Sequence, residues 1–159
     1  MDTNVQQSEA RIGRRSLSLA PAALLLAASL LGPTWMFSPA QPAANVPEQH
    51  LSFSDLAAAT AESPSSIQAA YFGWLGWTLV ILTIAATIVA VLRPRRLLTM
   101  AEAAIGAITL IVTALALKGP LTWGGFIDAV PTLRLGGYMI IVGLILVVAH
   151  GATLLRTRS

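Results

Sequence analysis

Hydrophobic residues are concentrated in four stretches of about 20 residues, none with a charge near its centre. The stretches cover residues 17–37, 71–92, 100–118 and 135–155. At a rise of about 1.5 Å per residue, a helix of this length crosses the roughly 30 Å hydrocarbon core of a bilayer. Because a backbone in lipid must satisfy its own hydrogen bonds, the pattern predicts an all-α membrane protein with a four-transmembrane-helix bundle.

The segments between the predicted spans form two outer loops and one basic connection. They are a polar tail at 1–16, a first outer loop at 38–70, a basic loop at 93–99, a second outer loop at 119–134 and a tail at 156–159. Within the first outer loop, Ser52 is predicted to cap a short helix over about 53–62. A loop of this size is too small to bury its own core, so we expect it to lie on the headgroups or against a partner.

Basic residues lie mainly on one side of the predicted spans. The N-terminal tail holds three, the 93–99 loop holds Arg93, Arg95 and Arg96, and the C-terminal tail holds two, which makes eight of the ten. Since cytoplasmic loops carry the excess of Lys and Arg in membrane proteins, the bias predicts that both termini are cytoplasmic. The same arginine cluster is suited to loose contact with anionic headgroups.

Aromatic side chains show the opposite bias along the chain. All of them are predicted to lie in the outer half of the membrane or in the first outer loop. Amphipathic rings favour the boundary between headgroups and acyl chains. Four aromatic residues are therefore predicted as outer interfacial anchors: Trp35, Tyr71, Trp123 and Tyr138.

A twin-arginine signal peptide is an alternative interpretation of the N-terminal region. Arg14 and Arg15 precede an apolar run, and Ser38-Pro39-Ala40 has the small residues of a cleavage site. The apolar run of about 20 residues exceeds the usual 7–15 of a signal sequence, which favours a retained first helix. Cleavage would leave three spans in the same orientation.

Composition narrows the class of protein. Of the 159 residues, 55% are hydrophobic and 11% are charged, whereas about 25% are charged in a typical soluble domain. These values exclude a soluble enzyme, a nucleic-acid-binding domain and a disordered chain. The absence of cysteine excludes disulfides and cysteine-ligated metals. Abundant Ala, Leu and Arg suggest a GC-rich bacterial genome, so we expect the inner membrane.

Two ionisable residues are predicted to lie inside the membrane boundary on the cytoplasmic side. Glu102 follows Thr99 by three residues, the spacing of a capping box that would open the third helix. His150 is predicted at a similar depth on the fourth helix. A Glu102–His150 pair would serve as structural glue or as part of a proton path. The alternative is a capping role for Glu102 and an interfacial or neighbour-bonded His150, since a proton path would need further buried acids.

Small residues recur where helices are expected to approach each other. Gly136 and Gly143 are seven residues apart, and Gly73 lies beside Trp74 and Trp77. Glycine at heptad spacing lets a neighbouring helix approach closely, so packing within the bundle is the first interpretation. The alternative is that these residues form a face for a partner helix or a lipid tail.

No motif predicts catalysis or metal binding. The segment His50-Leu51-Ser52-Phe53-Ser54-Asp55 has the residue types of a hydrolase triad but no nucleophile elbow. Glu48, His50 and Asp55 offer one imidazole with scattered carboxylates, a poor set of metal ligands. Phosphate loops, dinucleotide fingerprints and metalloprotease motifs do not occur in the sequence. We therefore expect no catalytic residue, no cofactor and no enzymatic activity.

Two functional hypotheses follow from the sequence. The first is a non-catalytic accessory or scaffolding subunit that packs against a larger membrane complex. The second is a transport or lipid-handling protein, as a homo-oligomer, that uses Glu102 and His150, or the outer tryptophans, around its substrate. A membrane enzyme would need residues supplied by a partner. In each case the lipid bilayer is the immediate partner, and nucleic acid is not expected.

Overall fold

The computed structural model describes residues 19–62, 65–93 and 95–156. In chain order the main elements are α1 (Leu19–Leu31), β1 (Met36–Ser38), β2 (Gln49–Leu51), α2 (Phe53–Thr60), α3 (Ser66–Leu92), α4 (Arg96–Lys118), α5 (Trp123–Ala129) and α6 (Leu135–Arg156). The helices α3, α4 and α6 are long and apolar enough to cross a membrane, and α1 is a shorter apolar helix. These helices agree with the prediction of a helical membrane protein. The polar tail at 1–16 and the start of the predicted first span lie outside the described residues.

The first predicted span is shorter at its C-terminal end than the hydrophobic pattern suggests. Helix α1 ends at Leu31, whereas the predicted span continues to residue 37. Gly32 and Pro33 interrupt the helix, since glycine destabilises a helix and proline lacks the amide hydrogen that would continue it. The apolar residues that follow form β1, which pairs antiparallel with β2 in the register Met36 to Leu51.

The third span begins earlier than predicted. Helix α4 starts at Arg96 and Arg95 occupies the N-cap position, so residues 96–99 belong to the helix rather than to the basic loop. Thr99 lies inside the helix, where its hydroxyl donates to the carbonyl of Arg95 at 3.3 Å. The predicted capping box of Thr99 and Glu102 is therefore wrong. At its other end, α4 stops at Lys118 because Gly119 adopts a φ of 52°, which residues with a side chain rarely adopt.

The first loop is folded against the ends of the helices. Ser52 caps α2 reciprocally: its hydroxyl accepts from the Asp55 amide at 3.3 Å, and the Asp55 carboxylate accepts from the Ser52 amide at 2.9 Å. Phe53 and Leu56 on α2 are 3% and 5% exposed. The loop therefore has no separate core of its own and instead shares a core with the helices.

That shared core is a cluster of aromatic rings, called here the aromatic cluster. It consists of Trp35, Phe53, Tyr71 and Phe72, with ring centroids between 5.1 and 6.5 Å apart. The indole N–H of Trp35 donates to the carbonyl of Ser29 at 2.6 Å. Tyr71 and Phe72 begin a π-helical turn, Tyr71–Leu75, within α3. The cluster marks one end of the bundle, the aromatic end.

Glycines allow the long helices to approach each other. A Cβ on Gly106 of α4 would lie 3.1 Å from Val147 of α6, and one on Gly151 of α6 would lie 2.8 Å from Ala103. Helix α1 packs on α6 in the same way, with Leu26 against Gly143. Helix α4 thus contacts α3 on one side and α6 on the other. The connection from α3 to α4 carries the arginines, so the end opposite the aromatic cluster is called the arginine end.

Candidate functional site

The side of α4 that faces the bundle interior is polar. Its buried residues recur every three or four positions: Thr99, Glu102, Gly106, Thr109, Thr113, Ala116 and Leu117. A stripe with this spacing lies along one side of a helix and is normally filled by large apolar residues. Here a carboxyl, three hydroxyls and a glycine occupy most of it. A helix that places such groups in the interior of an apolar bundle needs partners for them.

Hydroxyl groups of α3 meet those of α4 along most of this interface. The Thr83 and Thr109 hydroxyls lie 3.1 Å apart, and nearer the aromatic end the Tyr71 hydroxyl lies 2.8 Å from that of Thr113. The three threonine hydroxyls also lie 2.7 to 2.8 Å from carbonyls one turn earlier in their own helices, to which any of them that does not donate across the interface donates. Each hydroxyl in this part of the interface therefore has a partner.

Towards the arginine end, the interface contains groups that have no hydrogen-bond partner. Glu102 is 1% exposed and Thr87 is 4% exposed. The Thr87 hydroxyl faces the Glu102 carboxyl, but neither this hydroxyl nor either carboxyl oxygen makes a hydrogen bond of acceptable geometry within the described chain. Leaving a buried polar group unpaired typically costs about 1–3 kcal/mol, so this arrangement does not serve stability.

An apolar crevice lies between α1 and α3 on the other side of Thr87. Its volume is about 250 Å³, and it is lined by Leu19, Ala20, Ala23, Thr87, Ile88, Val91 and Leu92. Thr87 is the only one of these residues with a polar side chain. Ile88 and Leu92 are 51% and 69% exposed on the surface of the bundle, so the crevice opens where lipid would surround the protein. Thr87 therefore separates a lipid-facing crevice from a buried carboxyl.

The predicted Glu102–His150 pair is not formed. Both carboxyl oxygens of Glu102 lack hydrogen bonds, and the polar group that faces the carboxyl is the Thr87 hydroxyl of α3. His150 is half-buried on α6, and its carbonyl accepts from the Thr153 hydroxyl at 2.8 Å. The prediction was wrong because α6 meets α4 through the contact of Gly151 with Ala103, and the neighbouring side chain of Glu102 points about 100° away from that contact around the helix axis.

The five residues proposed as a partner or lipid face separate into two groups. Gly136 and Gly143 are buried contacts inside the protein: a Cβ on Gly136 would overlap the Trp35 ring, and one on Gly143 would lie 3.0 Å from Leu26. A Cβ on Gly73 would meet no atom within 4 Å, and the neighbouring Trp74 and Trp77 are 61% and 38% exposed. Of the two groups, only the segment of α3 at the aromatic end therefore presents an open surface.

Two of the four predicted interfacial anchors are buried and two are exposed. Trp35 and Tyr71 are fully buried in the aromatic cluster, which corrects their predicted role as anchors at the membrane surface. Trp123 and Tyr138 are 60% and 46% exposed. The prediction failed for the first pair because the first loop returns to cover them, an arrangement that hydropathy does not reveal. At the opposite end, the predicted headgroup contacts Arg93, Arg95 and Arg96 are all exposed.

The spacing of threonines in the sequence is a signal for this site. Thr83 and Thr87 are one turn apart in α3, and Thr109 and Thr113 are one turn apart in α4. Threonines repeated in this way on two apolar helices predict a shared polar interface, and Glu102 lies on the same stripe. Elsewhere, the described residues contain no group of three or more His, Asp or Glu side chains arranged to hold a metal ion.

Comparison with known proteins does not assign the site. No family model matches the chain, and neither curated proteins nor solved structures show significant similarity to it.

Proposed function

We propose that this is a multi-pass protein of a bacterial inner membrane, with four spans and cytoplasmic termini, that handles a small membrane-soluble substrate at Glu102. It belongs by this proposal to the transport or lipid-handling class. The observation that carries the proposal is a carboxyl that is 1% exposed with both oxygens unpaired. Ionisable groups inside a membrane are expensive and usually mark substrate or ion pathways.

Glu102 lies where a substrate from the membrane would reach it. It is six residues from the start of α4, about 9 Å along the helix axis, and therefore near the arginine end rather than at the centre of the bundle. The hydroxyl pairs of α3 and α4 fill the interface between Glu102 and the aromatic cluster. The proposed site is consequently closed towards the aromatic end, and a substrate would reach it from the leaflet at the arginine end.

Native mass spectrometry of the protein extracted with its surrounding lipid tests this proposal. The wild type is expected to retain one bound small molecule or lipid that Glu102→Gln loses, with both variants equally folded by circular dichroism. Glu62→Gln is a matched control, because Glu62 is exposed outside the long helices. Identical spectra for the wild type and Glu102→Gln would refute the proposal.

A second candidate function is that of an accessory subunit bound to a larger membrane complex. It is favoured by the open surface at Gly73, Trp74 and Trp77 on α3. The same extraction tests it, since an accessory subunit would be recovered with a stoichiometric larger partner. Gly73→Leu would then release the partner, whereas recovery of the chain alone would argue against this function.

Thiol labelling tests the proposed topology. The chain has no cysteine, so a single introduced cysteine reports its own side of the membrane. In intact cells, Ser54→Cys on the exposed surface of α2 is expected to react with a membrane-impermeant reagent, and Ser159→Cys only after permeabilisation. The reverse pattern would overturn the orientation.

A further inference from the structure

The crevice between α1 and α3 has an apolar lining, and a group of unpaired polar atoms lies buried behind it. Six of its seven lining residues are aliphatic, and the seventh, Thr87, is 4% exposed with an unpaired hydroxyl. Behind that hydroxyl lie the two unpaired oxygens of Glu102. A ligand that satisfied this site would have a long apolar part and a single polar end.

We propose that the crevice is a binding site for an amphiphilic amine that enters sideways from the membrane. Its alkyl part would lie along Ala23, Ile88 and Val91, and its nitrogen would bind at Thr87 and Glu102. This inference rests on the proposed function, because it names the substrate class of the same site. The amine could be a lipid headgroup or a free alkylamine, since both offer the same N–H donors.

The chemistry of the unpaired atoms favours a donor over an acceptor. Once the Glu102 carboxyl has given its proton to a bound amine, the carboxylate only accepts hydrogen bonds, and Thr87 has a single hydroxyl hydrogen to offer. The site is therefore short of donors, and a protonated amine supplies three on one atom. A cationic donor also gains from attraction to the carboxylate, which is strong where water is excluded. An anionic or purely accepting ligand would leave the carboxyl oxygens unpaired.

The size of the crevice fits an alkyl chain or small ring. A volume of about 250 Å³ exceeds the roughly 150 Å³ of an apolar cavity that holds benzene, and it is close to the lower limit of about 300 Å³ for ordinary ligand pockets. Because Ala20 and Ala23 line the crevice on α1 with small side chains, a larger side chain at either position would extend into it.

A membrane-soluble carbodiimide tests the route to Glu102. A protonated carboxyl adds its O–H across one C=N bond of the reagent, and the adduct rearranges to an N-acylurea with no leaving group. The mass of the Glu102 peptide therefore rises by one reagent. Dicyclohexylcarbodiimide is expected to label Glu102 in the full-length protein in nanodiscs, while a water-soluble carbodiimide is not.

Variants that fill the crevice identify the path of the reagent. Ala23→Phe is expected to lose the label. If Ala23→Phe does not fold, Ala20→Phe provides the same test, because Ala20 is exposed and its position tolerates a larger side chain. Ala85→Phe is the matched control, because Ala85 is exposed on α3 outside the crevice. Absence of the label in the wild type, or labelling unaffected by either crevice variant, would overturn the proposed route.

Protection by a defined amphiphile tests the ligand class. Dodecylamine at ten times its dissociation constant is expected to slow the labelling of Glu102 about tenfold, as occupancy of a single site requires. Dodecanol, with the same chain and no amine, should not protect, and Thr87→Val should weaken protection by dodecylamine. Nanodiscs with and without phosphatidylethanolamine separate the two sources, because protection by the lipid alone would identify a headgroup.

The outcomes distinguish this inference from the proposed function. Equal protection by dodecanol and dodecylamine, or none by either the amine or the lipid, would reject the amine. Loss of a bound molecule from Glu102→Gln in native mass spectra would still support a substrate site in that case. If native spectra show no bound molecule and the amine gives no protection, both are rejected.

Discussion

Replacing Glu102 by methionine should stabilise the folded protein. Methionine has a similar volume and no polar group that needs a partner. In the folded protein the carboxyl is 1% exposed and both its oxygens are unpaired. In the separated helix, Glu102 lies about 9 Å from the end of α4, where the flexible side chain can extend to interfacial water. Folding therefore removes solvation from the carboxyl and supplies no hydrogen bond in return.

The expected gain follows from the cost of one unpaired buried group, about 1–3 kcal/mol. Replacement of buried polar groups by apolar residues of matching size is often stabilising. Glu102→Met should therefore increase the free energy of unfolding by about 1–3 kcal/mol. Glu102→Gln keeps an unpaired polar group and should change it much less. Thr87→Val, which removes the unpaired hydroxyl without changing the shape, should be neutral or stabilising.

Equilibrium unfolding in mixed micelles with increasing dodecyl sulfate measures these differences. Tryptophan fluorescence follows the transition, because Trp35 is fully buried in the folded state. A loss of about 1 kcal/mol or more in Glu102→Met would refute the reasoning, since it would mean that the carboxyl makes hydrogen bonds that hold the helices together. A stabilised variant that no longer retains a bound molecule would instead show that function requires the unpaired carboxyl.

Two further predictions concern the aromatic end and the first loop. Gly136→Ala should destabilise the protein by about 1–3 kcal/mol in the same unfolding assay, because its Cβ would overlap the Trp35 ring. Gly73→Ala should be neutral or stabilising, because the space around Gly73 is open. Equal effects would contradict the packing described here. Hydrogen bonds from the Ser52 side chain and backbone lower the pKa of Asp55. The stabilisation by this cap is therefore complete above the ordinary Asp pKa, and it is lost as the pH falls through the lowered pKa. Ser52→Ala should raise the pKa of Asp55 and move the loss of stabilisation to higher pH. An NMR titration of the Asp55 carboxyl carbon measures this pKa. An unchanged midpoint would refute the cap as the cause of the lowered pKa.

Local sequence rules predicted the parts of the fold that depend on local interactions. The Ser52 cap precedes Phe53–Thr60, and α4 ends at Lys118 before a glycine and a proline. In both cases a few neighbouring residues satisfy or break backbone hydrogen bonds, so nothing distant is required. The same rules misplaced the start of α4. Thr99 and Glu102 have capping-box spacing, but both are buried inside a helix that begins at Arg96, and the Thr99 hydroxyl donates to the Arg95 carbonyl.

The aromatic end could not be predicted by hydropathy because burial there depends on contacts distant in sequence. Trp35 is surrounded by rings from α2 and α3, and α6 approaches it through Gly136. An aromatic residue at the end of an apolar stretch has the same local pattern whether it contacts headgroups or another ring. The heptad spacing of Gly136 and Gly143 was informative, since both are close helix contacts, but spacing alone does not identify the neighbour.

The candidate site could not be predicted from the sequence for a different reason, because it is recognised by buried polar groups that lack hydrogen-bond partners. Sequence can place Glu102 inside a helix, and periodic threonines can place it on a polar interface, but neither shows which groups are satisfied. The structure supplies that information. The hydroxyl of Thr83 pairs with that of Thr109, and the hydroxyl of Tyr71 pairs with that of Thr113. The polar atoms of the Thr87 and Glu102 side chains have no hydrogen-bond partner in the described chain. The two unpaired residues are also those that lie at and behind the one lipid-facing crevice described between α1 and α3. If the unpaired groups were only a packing defect, they would have no reason to coincide with an opening to the membrane, so a ligand that enters through that opening accounts for both features.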